Sequence, residues 1–127
     1  MKNLLSIIFL LFSVSLGYAH EMTPTYPKPT PSYIKDIFEV KMNLYNARED
    51  VQYYEINVFD DQWNPVPFAA NKRIVKLPFK QRMSFSVYLR KSDINRATYI
   101  CTLSRLRKED VNQSAIASRI CSKIKRD

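Results

Sequence analysis

With 127 residues, two cysteines, one histidine and a single glycine, this chain has room for one domain and lacks the parts several enzyme classes require. Glycine stands only at Gly17, whereas phosphate-cradling loops, dinucleotide-binding turns and nucleophile elbows need it where the backbone takes positive φ or meets a ligand closely. The net charge of +8 is segregated: four basic and eight acidic residues lie between His20 and Asp61, then fifteen basic and four acidic from Gln62 onward.

Residues 1–19 read as a secretory signal peptide. Lys2 gives the positive start, Leu4 to Ser15 the apolar run, and Gly17-Tyr18-Ala19 the small residues of a cleavage site. The run is shorter than the ~20 apolar residues that span a bilayer. The mature chain then starts at His20 in the periplasm or outside the cell.

Residues 20–35 read as a linker. Pro24, Pro27, Pro29 and Pro31 favour an extended polyproline spacer over strand or helix. Period-two alternation then begins, as half-buried strands require. Phe38, Val40, Met42 and Leu44 alternate with polar residues across 37–45, and Tyr54, Ile56 and Val58 share a face across 51–59. Asp60 to Pro65 is dense in turn formers. Short strands are expected at 66–69 and 73–77, then longer ones at 83–89, 98–103 and 116–124. Lys91 to Arg96 and Arg105 to Ser114 can each hold a helical turn. About seven short strands with regular turn signals predict a single all-β domain over 36–127, an antiparallel β-sandwich or a small closed barrel.

Cys101 and Cys121 form an even pair, which in an exported chain reads as a disulfide. A hairpin turning near residue 111 sets them opposite each other. The competing reading, a redox-active pair, lacks the Cys-x-x-Cys spacing that lowers a thiol pKa. Strict alternation from Ile116, Ile120 and Ile124 turns Cys121 outward, and with it Cys101, Tyr99 and Leu103; a bulge in the last strand is the alternative.

His20 is the only histidine. No Ser/His/Asp or Cys/His arrangement has a source elsewhere. As the first mature residue it either chelates Cu(II) through its amino group and imidazole or begins a loose tail. The pairs Glu49-Asp50, Asp60-Asp61 and Glu109-Asp110 fall in expected turns, where they serve turn chemistry; Asp60, Asp61 and Asn64 lack the usual calcium-loop spacing. No catalytic residue and no cofactor is indicated.

The basic second half can attract a polyanion or an anionic envelope surface, with Arg82, Arg90, Arg119 and Lys123 as candidate contacts, or it can form ordinary solvated strand faces. Tyr26, Tyr33, Tyr53, Tyr88 and Trp63 are candidates for stacking on bases or sugars, or for core filling. No sequence-specific nucleic-acid binding is expected.

The stretches Tyr54–Asp60, Trp63–Pro67, Lys76-Leu77-Pro78 and Met83–Leu89 resemble, in order, the N-terminal domain of periplasmic pilus-assembly chaperones. Tyr99-x-Cys101 resembles the Tyr-x-Cys of immunoglobulin domains, with Cys121 in place of a partner on an early strand. The chain is also similar to small signal-bearing proteins of phage genomes, which implies no activity. Members of the chaperone family bind subunits in the cleft between two domains through basic residues and strand addition; this chain has room for only the first domain, so the resemblance implies at most an exposed edge strand that accepts a partner strand. Export, the strand pattern and the missing catalytic residues together read as a non-enzymatic domain that binds another protein.

Overall fold

The computed structural model describes residues 20–105 and 117–126. The signal peptide expected at 1–19, and the part of the 105–114 helical turn beyond Arg105, lie outside the described residues. Eight strands and one short helix occur among the described residues: β1 (Glu21–Thr23), β2 (Thr30–Pro31), β3 (Ile37–Tyr45), β4 (Tyr53–Phe59), β5 (Ile74–Lys76), β6 (Arg82–Arg90), α1 (Lys91–Ile94), β7 (Tyr99–Arg105) and β8 (Arg119–Lys123). They form two antiparallel sheets, an all-β sandwich.

In the first sheet β3 pairs with β6 along its whole length, while β1 and β2 pair with the two ends of β3. The second runs β5-β4-β7-β8. The alternating residues supply the inner faces: Val40, Met42 and Leu44 from β3, Tyr54, Ile56 and Val58 from β4, Val87 and Leu89 from β6, and Ile100 from β7 are all buried. Burying one such side chain contributes roughly 1.5–3 kcal/mol. The stretch expected as a strand at 66–69 makes only isolated bridges, Phe59 to Pro65 and Ala69 to Tyr88. Pro65 and Pro67 deny it the amide donors a ladder needs, and it serves as the crossing from one sheet to the other.

The proline segment is not a free spacer. His20 and Met22 are buried, and β1 pairs Met22 with Leu44. The chain then moves to the other sheet, where Thr25 and Pro27 accept hydrogen bonds from the Lys123 and Lys125 amides at 3.0 and 2.8 Å. It returns as β2 beside Phe38 and Glu39. Prolines accept such a course because each sheet asks only a few residues to donate, and the carbonyls of Thr25 and Pro27 remain acceptors. The segment thus closes the seam between β3 and β8.

Turns without glycine use Asp36, Trp63 and Lys80 at φ of 65°, 65° and 64°. The helical turn expected at 91–96 is present as α1, where the buried Asp93 carboxylate binds Arg90 and Arg96, each at 3.0 Å. Those hydrogen bonds, from Arg96 and then Arg90, hold the Asp93 carboxyl below its ordinary range.

Candidate functional site

β6 offers an incompletely paired edge. Its alternate residues turn their backbone groups toward β3, and the others away from it. Tyr88 belongs to the outward set: its amide and carbonyl exchange bonds of 2.8 and 2.9 Å with Ala69. By the two-residue period Ser84 and Ser86 point their amides and carbonyls the same way. Among the described residues no strand pairs with them on that side.

An open groove of about 850 Å³ runs beside this edge. Val75, Met83 and Phe85 give it an apolar side, and Lys41 and Lys72 give it positive charge. β5 forms the opposite lip and is only three residues long, so the two sheets part here. Met83 and Phe85 reach the core from the inner face of β6 but stay partly exposed. The opposite seam is filled by the N-terminal segment; this one is not filled by any described residue.

On the outer face of the same sheet, Ser86 and Tyr88 donate hydroxyl hydrogen bonds to the Glu39 carboxylate at 2.7 and 3.2 Å. The Ser86 bond is the main cause that holds the Glu39 carboxyl below its usual range. A second groove, about 620 Å³, adjoins Glu39 between Tyr33, Ile34 and Phe68.

The four candidate polyanion contacts do not converge. Arg82 and Arg90 stand at opposite ends of β6, roughly 26 Å apart at strand rise. Arg82 lies 4.5 Å over the Tyr45 ring, and Arg90 is bound to Asp93. Arg119 and Lys123 share the outward face of β8 in the other sheet. The basic second half is therefore divided between two faces, because β6 and β8 belong to different sheets.

Cys101 and Cys121 form a disulfide, register partners on β7 and β8. Bonds at Thr98–Ile124 and Ser104–Ser118 flank them, so by the two-residue period they occupy a non-hydrogen-bonded pair, where side chains come closest. The pairing continues on both sides with no bulge. Tyr99, Cys101 and Leu103 face away from the core and are half-buried or buried there, the disulfide and neighbouring rings supplying the cover.

His20 is not a loose terminal residue. It is 1% exposed. Its Nε2 lies 3.2 Å from the Thr102 carbonyl and 2.9 Å from the Thr102 hydroxyl, and its Nδ1 lies 3.3 Å from the Ser118 hydroxyl. The carbonyl can only accept, which puts the ring proton on Nε2. Both nitrogens are thus engaged inside the sandwich, and the imidazole is not offered to copper. Burial pushes its pKa below the ordinary value, opposed by the Thr102 hydrogen bond. Among the described residues no group of three His, Cys, Asp or Glu side chains could hold a metal.

Sequence reasoning missed the β6 edge, which depends on where the 66–73 crossing leaves the sheet. It also missed the docking of residues 20–31, although the alternation of His20 and Met22 with Glu21 and Thr23 carried a signal. Of the aromatic candidates, Tyr26 and Tyr33 stand exposed, Tyr53 and Tyr88 are half-buried, and Trp63 stacks on Tyr99.

A scan against models of protein families finds no match for this chain, and a search of curated proteins finds none either. Among the described residues no helix is long and apolar enough to cross a membrane.

Proposed function

We propose that this chain is an exported, non-enzymatic, immunoglobulin-like domain that binds a protein partner by strand addition along β6. The observation that carries the reading is the edge at Ser84 and Ser86 beside an apolar groove. A partner segment entering there would extend the first sheet, giving main-chain hydrogen bonds worth ~0.5–1.5 kcal/mol each. Its alternate side chains would meet Met83, Phe85 and Val75, and acidic residues beside them would meet Lys41 and Lys72.

Three further features support the reading. A disulfide fits an oxidising compartment and hence export. The order of strands, with β1, β2, β3 and β6 in one sheet and β5, β4, β7 and β8 in the other, is compatible with an immunoglobulin-like arrangement. The only histidine is consumed as a structural residue.

Amide hydrogen exchange tests the proposal, with a synthetic extended peptide of alternating valine and polar residues flanked by aspartate as the probe. The Ser84 and Ser86 amides should exchange fast in the mature protein alone and become protected when the peptide is added. Ser84→Pro, which removes an outward amide at a tolerated edge position, should abolish binding while leaving the fold intact. Slow exchange of both amides in the isolated monomer, or undiminished binding by Ser84→Pro, would reject the reading.

A further inference from the structure

The outer face of the second sheet gathers a different set of groups. Strand register lays them in rows: Phe59, Tyr99 and Lys123; then Asn57, Cys101 and Cys121; then Glu55, Leu103 and Arg119. Trp63 covers the first row, its indole parallel to the Tyr99 ring at 4.4 Å with an interplanar angle of 3°. Phe59 meets the same indole at 5.9 Å and a tilt of 57°. The Arg119 guanidinium lies 5.2 Å from the Phe59 ring centre.

The loop that presents Trp63 is built tightly. The Asp60 carboxylate accepts the Gln62 and Asn64 amides, both at 2.9 Å, and the Trp63 amide donates to the Asp60 carbonyl at 3.1 Å. Trp63 itself takes φ of 65°, a left-handed conformation that costs a bulky side chain and that asparagine adopts more readily. A tryptophan held there remains 49% exposed. One indole face is spent on Tyr99 and part of the ring meets Phe59, which leaves about half of the residue open to solvent.

Charge completes the face. Glu55 is bound to Arg105, and Asp60 is committed to its own turn. Among the described residues neither Arg119 nor Lys123 has a carboxylate within ion-pair distance. A flat aromatic platform beside two cations that have no acidic partner among the described residues suits a ligand with a flat carbon–hydrogen face and an attached anion.

We propose that Trp63, Tyr99, Arg119 and Lys123 form a binding site for an acidic saccharide, the sugar face stacked on the indole and its carboxylate or sulfate met by the two cations. A nucleobase could use the same platform. The disulfide lies on this face between the rows that carry Lys123 and Arg119, and such a bond persists where the environment is oxidising. The choice of an acidic saccharide over a nucleic acid rests on the export proposed above. The site is in the other sheet from the β6 edge, so either reading can fail alone.

Trp63 is the only tryptophan of the chain, so its fluorescence reports directly on the site. Titrating the mature, oxidised protein with trigalacturonate should shift its emission saturably, and maltotriose should bind at least about tenfold more weakly. The double variant Arg119→Gln/Lys123→Gln should lose about tenfold or more in affinity for trigalacturonate. Trp63→Asn, followed by calorimetry, should lose binding while its melting temperature and disulfide persist. Absence of a saturable change, equal binding of maltotriose, or unaltered affinity in the double variant would overturn the proposal. So would a saturable response to oligothymidylate with none to trigalacturonate, which would assign the platform to nucleic acid.

Discussion

The His20 imidazole packs against the Tyr54 ring, centroids 4.5 Å apart and planes tilted by 47°. On its other side Tyr54 donates its hydroxyl to Asn46 Oδ1 at 2.5 Å. Asn46 in turn donates its amide to the Val51 and Leu77 carbonyls at 2.7 and 2.8 Å. A ring contact followed by a run of hydrogen bonds thus joins the residue before β1 to the loops at one end of both sheets. Such networks reward complete satisfaction and penalise loss of any member.

Replacing His20 by alanine should cost ~2–4 kcal/mol, since it opens a cavity and leaves Thr102 and Ser118 groups short of a partner. Urea unfolding at neutral pH measures this. A loss below ~0.5 kcal/mol, the scale of an ordinary surface change, would show that the N-terminal docking contributes little.

Acid should destabilise the protein through the same residue. Burial lowers the folded pKa of His20, so the unfolded chain takes up the proton first. The stabilisation is complete above the unfolded value of ~6.5 and is lost as pH falls through that value toward the folded one. The depressed carboxylates of Asp60 and Asp93 act only below ~4. His20→Gln should remove the dependence between pH 7 and 5 in thermal melts, and an unchanged slope would assign it elsewhere.

At the alkaline end Tyr54 is the reporter. Burial raises its hydroxyl to about 12. Its contribution is fully present below ~10, the unfolded value, and is lost as pH rises toward the folded one. Tyr54→Phe should cost ~1–2 kcal/mol at neutral pH and flatten the alkaline decline followed by circular dichroism.

Opening the disulfide should cost about 3 kcal/mol, as expected for a loop closed by residues 20 apart. A Cys101→Ser/Cys121→Ser variant compared with wild type by denaturant titration gives the value. Wild type and variant with coincident midpoints would show that β7–β8 pairing alone secures the C-terminal strand.

Trp63→Asn should change stability by no more than about 1 kcal/mol. It relieves a left-handed backbone position costing ~1–2 kcal/mol and loses a stacked ring pair worth ~0.5–1.5 kcal/mol. A far larger loss in a thermal melt would mean that the indole is chiefly a cover for the sheet.

Period-two alternation was enough to locate β3, β4, β6 and β7 and to choose the inward residues of the first three, because each has a core on one side and solvent or half-burial on the other; for β7 the apolar Tyr99 and Leu103 on the outward face left the choice open until the register of β8 decided it. The partnership of Cys101 and Cys121 followed from their being the only two cysteines of the chain. Residues 20–31 were not legible as part of the sandwich. Proline suppresses strand propensity, while pairing there rests on a few backbone bonds to β3 and β8 that no local pattern encodes. The left-handed Trp63 was likewise hidden, since nothing in Asp60-Asp61-Gln62-Trp63-Asn64 announces which residue takes positive φ when no glycine marks it. The β6 edge is a property of what fails to arrive beside a strand, and local sequence describes only the strand itself.

The seam closed by the N-terminal segment also imposes an order on assembly. His20 and Ser118 are 98 positions apart in the chain, and Thr25 finds its donor on the last strand. The earliest-made part of the sandwich therefore has no complete berth until the latest-made part arrives. Contacts of such long range form late, after the loops between them have closed. Until then β1 and β2 can rest only on β3, and a nascent chain of this kind leaves unsealed the flank between β3 and β8 that the finished fold closes.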